Sequence, residues 1–351
     1  MLKIVIFPTL MLFLALSLNV SAASTPPAIE RLTLKNNHIR VEVTPDIGGR
    51  VVHFARREAP NFLRVGKEID DIPVPEVNAD SNNIGYLGHE MWVGPQSAWW
   101  TQQTLNAARR KAKSVWPPDP FLVLSQHEVT QQSDKQIELV GPTSPVSGIA
   151  FTKRYQLIKE RPDSVRLDVI ARNARSTPVS WDIWFNTRVR AEARVYVPIQ
   201  DEEKLRVNPF PGELIAPPVY NIEQGLFSFE LAAPPAGKTI RRGKVFIQPA
   251  AGWIAAFDHD QAFIIQFALQ PESLIHPEQG QVELYLDYQP ENPAASLMEL
   301  EVHAPYKTLQ PNEEMQAHEV WTILAYTGDF TSEAHIAFIK RQAASLGLEG
   351  L

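Results

Sequence analysis

A period of two runs through most of this chain. In Ser164-Val165-Arg166-Leu167-Asp168-Val169-Ile170-Ala171, the residues Val165, Leu167, Val169 and Ala171 fall on alternate positions. Ile39, Val41 and Val43 do the same, and so do Val282, Leu284, Leu286 and Tyr288. Successive side chains of an extended strand point to opposite faces, so each run describes a strand with one apolar face. Trp253 to Phe257 and Ala262 to Leu269 flank Asp258-His259-Asp260-Gln261 and predict a hairpin. The 29 prolines fall mostly between these runs, where a missing amide donor breaks no ladder. Many short strands separated by turns give an all-β sandwich or barrel.

Helical spacing is confined to the C-terminus. Thr331 or Ser332 can cap a helix whose apolar stripe is Ile336, Ile339, Ala343 and Leu346, with Gly347 at its end. From Asn78 to Pro120 alternation is poor and Trp, Asn and Gln are frequent, which predicts long loops over the sheet. No internal repeat or shift in composition divides the chain. Residues 23–351 are therefore expected to form one domain, long enough to bury about three quarters of the unfolded surface.

Residues 1–22 have the pattern of a secretory signal peptide. Lys3 supplies the positive start, Ile4 to Leu18 the apolar run, and Asn19-Val20-Ser21-Ala22 the small residues of a cleavage site. The run is short for a membrane span, which needs about 20 residues. The expectation is a periplasmic or secreted protein with no stable membrane anchor after cleavage. The chain has no Cys, so packing rather than disulfides must hold it together. Its formal charge of −7 becomes one unit more negative when Lys3 leaves, which argues against nucleic acid as a partner.

The densest cluster of chemical groups is Met298-Glu299-Leu300-Glu301-Val302-His303-Ala304-Pro305. On a strand, Glu299, Glu301 and His303 share one face, backed by Leu300 and Val302 on the other. Such a row can hold a general base, or it can be the wet face of a sandwich strand. No spacing resembles a zinc site, Gly-x-Ser-x-Gly is absent, and no helix follows Gly48-Gly49. Neither a metal nor a cofactor is expected.

Several segments, taken in order, resemble the galactose mutarotase-like superfamily, and within it the exported DUF4380-like family. They are Val43-Thr44-Pro45-Asp46-Ile47-Gly48-Gly49-Arg50-Val51, Gly88-His89-Glu90-Met91-Trp92-Val93-Gly94-Pro95, Trp116-Pro117-Pro118-Asp119-Pro120, Phe151-Thr152-Lys153-Arg154-Tyr155, and Met298 to Pro305 with Leu309 to Glu313. The resemblance spans about residues 35 to 328. It implies a β-supersandwich with a sugar site on a concave face, followed here by the short C-terminal helix.

Aldose mutarotases of that superfamily use a C-terminal Glu as base and a His of the central sheet as acid. The resemblance carries the Glu to Glu301, or to Glu299 in another register. The segment corresponding to the His, Trp181-Asp182-Ile183-Trp184-Phe185-Asn186-Thr187-Arg188, contains none. His89, in a Gly-flanked loop beside Glu90 and Trp92, is the leading substitute, ahead of His53 and His303. Sugar contacts are expected from Trp92, Trp116, Arg188, Asn186, Arg50 and His303, because pyranose C–H faces pack on indoles while amides and charged groups bond the hydroxyls. Arg154 is an alternative to Arg188 for gripping a carboxylate or the ring oxygen. Trp253 and Trp321, on apparent strands, are expected in the core.

These readings favour an exported carbohydrate-binding protein for a mono- or oligosaccharide. The alternative is an active aldose 1-epimerase with a Glu base. Glycan cleavage by a lyase or hydrolase is a third reading.

Overall fold

The computed structural model describes residues 28–72 and 74–351; the signal-peptide expectation falls outside them. Two large sheets pack face to face. The front sheet runs in the order Leu32–Lys35, Ile39–Thr44, Arg50–Arg56, His89–Gly94, Val179–Val189, Leu297–His303, Val282–Tyr288, Ile240–Ile247 and Arg206–Pro209. The back sheet is ordered Val219–Glu223, Leu226–Glu230, Arg194–Pro198, Trp253–Asp258, Gln261–Phe267, Glu314–Ala325, Ser164–Asn173, Ile149–Leu157, Gln136–Val140 and Glu128–Gln132. This is the all-β supersandwich that the alternation and the resemblance predict.

The apolar faces of the alternating runs meet between the sheets. Phe54 of the front sheet packs against Phe263 and Trp321 of the back sheet, with ring centroids 5.2 and 5.3 Å apart. The predicted hairpin forms from Trp253–Asp258 and Gln261–Phe267, and His259 in its turn takes a positive φ of 50°.

The predicted C-terminal helix spans Ser332–Leu346. The Thr331 hydroxyl accepts from the Ala334 amide at its start, and Gly347 closes it with φ of 69°. It buries His335, Ile336, Phe338 and Ile339 against Phe257, Trp253 and Tyr326, on the outer face of the back sheet. Trp253–Asp258 is consequently covered on both sides.

The segment from Asn78 to Pro120 departs from the expectation of loops alone. It contributes a central front-sheet strand, His89–Gly94, whose six residues are all buried. A strand covered on both faces loses the polar–apolar alternation that would mark it. Short helices at Ala107–Ala112 and Pro120–Val123 follow, and the rest crosses the front sheet as expected.

Candidate active face of the front sheet

Five adjacent strands of the front sheet build the site. Residues opposite each other on antiparallel neighbours share a face. Glu90 pairs with Asn186, Asn186 with Glu301, and Glu301 with Glu283, so one row crosses four strands. The next row joins Arg188, Glu299, Tyr285 and Lys244. On the other side Trp92, Trp184 and His303 form a third. All three rows lie on the face turned away from the back sheet.

A β-bulge adds Arg50. His53 pairs with Glu42 but Val51 pairs with Val43, leaving Val52 as an extra residue. Without it Arg50 would share the core face of Phe54. With it, the guanidinium reaches Glu90 Oε2 at 2.5 Å.

Two charge clusters result. In the first, Glu90 accepts from Arg50 and from Arg188 (2.6 Å), and Arg188 also donates to Glu299 at 2.8 Å while lying over the Trp92 ring at 4.9 Å. Burial alone would raise the Glu90 pKa, but the two guanidinium groups outweigh it and hold the carboxyl below its usual range.

In the second cluster, Lys244 Nζ lies 2.6 Å from an oxygen of Glu283 and 2.6 Å from one of Glu301. His303 lies 3.1 Å from Asp182 and 3.3 Å from Glu283, and Asn186 donates to Glu301 at 3.1 Å. Burial works against a charged His303, yet Glu283 and Asp182 raise its pKa to about 9. Burial also opposes ionised Glu283, but Lys244 and His303 bring it down to about 2. Glu301 goes the other way. It is fully buried, and burial together with the neighbouring carboxylates of Glu299 and Glu283 overcomes Lys244 and pushes its pKa well above the usual range. The charges around it point the same way: Lys244 and His303 already face Glu283 and Asp182, and an ionised Glu301 would add a further buried negative charge to the cluster.

Glu283, Glu301 and His303 also present ligand atoms within 4.8 Å of one another, the composition of a small metal site. The Lys244 ammonium already supplies the cation between the two carboxylates.

Indoles close one end of this face. Trp184 stacks with Trp99 at 5.7 Å and meets Trp92 edge-on at 4.9 Å. Lys244 Nζ lies 4.7 Å from the Trp184 ring, and His303 packs on it at 4.7 Å. The loop that delivers Trp99 is pinned by its own indoles: Trp99 donates to the Val93 carbonyl and Trp100 to that of Pro117. Trp116 meets Trp92 edge-on at 6.1 Å and Trp99 at 6.4 Å, and half of its surface is exposed. On the same face the indole N–H groups of Trp92 and Trp184 and the side-chain amide oxygen of Asn186 are buried with no partner within the protein.

The structure thus brings Glu299, Glu301, Arg188, Asn186, Arg50, His303, Trp92 and Trp116 to one face. His89 is a correction to the grouping expected from sequence. It neighbours Glu90 in sequence, so its side chain takes the opposite face, toward the back sheet. There it meets Trp321 edge-on at 4.7 Å and bonds Thr187 at 2.8 Å. Burial, followed by Lys153, Arg188 and Arg50, keeps it neutral. It has no path to Glu301 as a proton partner. Arg154 lies on the back sheet, bonded to Glu138 at 2.6 Å. Trp253 and Trp321 are core residues, as expected.

The sequence reading missed Lys244, Glu283, Asp182 and Tyr285. The strand runs Val282–Tyr288 and Ile240–Ile247 carried the signal: their polar alternate positions are the ones that face Glu301 and Glu299.

No curated protein matches the chain in sequence. A protein from Synechocystis sp. PCC 6803 superposes with a TM-score of 0.51 at 14% identity, covering 86% of this chain and 98% of that one. A TPR-domain containing protein from Parabacteroides distasonis gives 0.51 at 11% identity, covering 87% of this chain and 48% of that one. A galactose mutarotase-like protein from Clostridium acetobutylicum is a looser match, with a TM-score of 0.48 at 15% identity over 84% of this chain and 94% of that one. In sequence, the domain of unknown function DUF4380 matches residues 29–324. The chain belongs to the DUF4380 family.

Proposed function

We propose that this is an exported, periplasmic or secreted, carbohydrate-binding protein that takes a mono- or oligosaccharide on the front sheet. One observation carries the reading: a single face combines the half-exposed indole of Trp116 with rows of charged donors and acceptors. The row grades from buried Glu301 and His303 to the more accessible Lys244, Tyr285 and Glu299. Sugars have the matching chemistry, with C–H faces for indoles and hydroxyls that both donate and accept. The orphaned Trp92, Trp184 and Asn186 atoms support it, since buried polar groups are nearly always paired.

Binding is favoured over epimerase chemistry. A base for the O1 hydroxyl has to be ionised and within hydrogen-bond reach of the sugar. Burial and the carboxylates of Glu299 and Glu283 push the Glu301 pKa up, and its side chain is enclosed and covered by Lys244. The epimerase reading draws on His303, a charged imidazole on the same face, as its acid. It also needs Lys244 to swing away from Glu301.

Titration of the mature protein with a panel of neutral mono- and oligosaccharides, followed by tryptophan fluorescence, tests the reading. A member of the panel should change the emission, and Trp116→Ala should weaken its binding about three- to tenfold. Binding unaffected by Trp116→Ala would remove the site from this face.

A further inference from the structure

Beside the charged row, between the strand Ile240–Ile247 and the segment 272–280, the front sheet opens into a cavity of about 820 Å³. That is large enough for more than one sugar ring. Phe246, His276 and Tyr306 give it aromatic walls, and Gln248 and Gln279 give it amides. Lys204 at its rim is neutralised by Glu272, 3.1 Å away. Arg206 is not: among the described residues no carboxylate pairs with it. Its guanidinium lies 4.7 Å from the Phe246 ring centroid and spends one donor on the Gln279 carbonyl at 2.8 Å. A guanidinium has five donors in a planar fork, so a carboxylate can still be taken bidentately.

The cavity adjoins the site already described. The Gln279 side-chain amide lies 2.8 Å from His303 Nδ1, and Phe246 lies 5.8 Å from Lys244 Nζ. The amide oxygen of Gln279 is buried with no partner in the protein. If the amide is turned so that its oxygen meets His303, the NH₂ group is left unpaired instead. In either orientation one buried polar atom of this amide, beside the cavity, is left without a partner in the protein.

We infer that this cavity is a subsite for an acidic sugar unit, with the uronate carboxylate on Arg206 and a ring hydroxyl on Gln279. The inference rests on the front-sheet face being a sugar site. It makes the ligand an oligosaccharide that carries a charged unit next to the one under Trp116.

The test is calorimetric titration of the mature protein with di- and trigalacturonate, and with the same oligosaccharides as methyl esters. Esterification removes the charge and leaves the rings. The acids should bind at least about tenfold more tightly than the esters, and added salt should shrink the difference. Arg206→Ala should abolish the difference while leaving ester binding in place, and Arg206→Lys should restore part of it. Acid and ester binding equally would overturn the inference, as would equal weakening of both by Arg206→Ala or binding of neither. If esters bind and remain sensitive to Trp116→Ala, the sugar face stands and only its acidic subsite falls. If the acids, the esters and the neutral panel all fail to bind, the two readings fall together.

Discussion

Glu283 and Glu301 face each other across adjacent strands and share a single ammonium, with Lys244 Nζ 2.6 Å from each. Two buried carboxylates with the same neighbour end in opposite states. Glu283 has His303 as a second cation and is held below the usual carboxylate range, whereas Glu301 has the neutral Asn186 amide and is pushed well above it.

That asymmetry predicts unequal effects of the same substitution. Glu301→Gln replaces a neutral acid by a neutral amide of similar shape and should change stability by less than about 1 kcal/mol. Glu283→Gln strands Lys244 and His303 without their counter-charge and should cost about 3 to 5 kcal/mol. Urea unfolding of the two variants at pH 7 decides it. Equal losses would mean that both carboxylates are ionised.

The raised His303 pKa makes a pH prediction. A histidine with an unfolded value near 6.5 and a folded value of about 9 contributes stability in full below pH 6.5 and loses it as the pH rises through 9. The contribution is on the order of 3 kcal/mol. Between pH 6.5 and 9 the wild-type melting temperature should therefore fall more steeply than that of His303→Gln. Parallel curves would show that His303 is neutral in the folded protein.

The indoles should separate into two classes. Trp184 is buried among Trp92, Trp99 and His303, so Trp184→Ala should cost about 3 to 5 kcal/mol of stability. Trp116 is half exposed, and Trp116→Ala should cost less than about 1 kcal/mol while weakening sugar binding. Thermal melts and titrations of both variants provide the comparison.

His89 provides a control. Since it faces the back sheet, His89→Gln should leave sugar affinity unchanged and lower stability by about 1 to 3 kcal/mol through its contacts with Thr187 and Trp321. A selective loss of affinity with intact stability would contradict the placement.

Much of this architecture could be read from alternation. Glu299, Glu301 and His303 fall on one face because they are two residues apart, and the structure keeps them there. The C-terminal helix was legible from its cap, stripe and terminal glycine. Other features depend on information that local spacing does not hold. Lys244 reaches Glu301 only because the strand carrying Glu283 lies between them in the sheet, a choice of pairing. Arg50 joins the face through a bulge at Val52 that reverses the parity of its strand. His89 was grouped with its neighbours Glu90 and Trp92 because His89–Gly94, buried on both faces, did not read as a strand. Once it is recognised as one, parity alone separates His89 from Glu90.

The measurement that bears most directly on the account is exchange NMR on the mature protein with a panel of aldoses, following anomeric cross-peaks and line widths together. Line broadening of a sugar without faster interconversion of its anomers is the predicted result: the face binds, and protonated Glu301 does not act as a base. Faster interconversion that Glu301→Gln or Glu299→Gln abolishes would contradict it and make the protein an aldose epimerase.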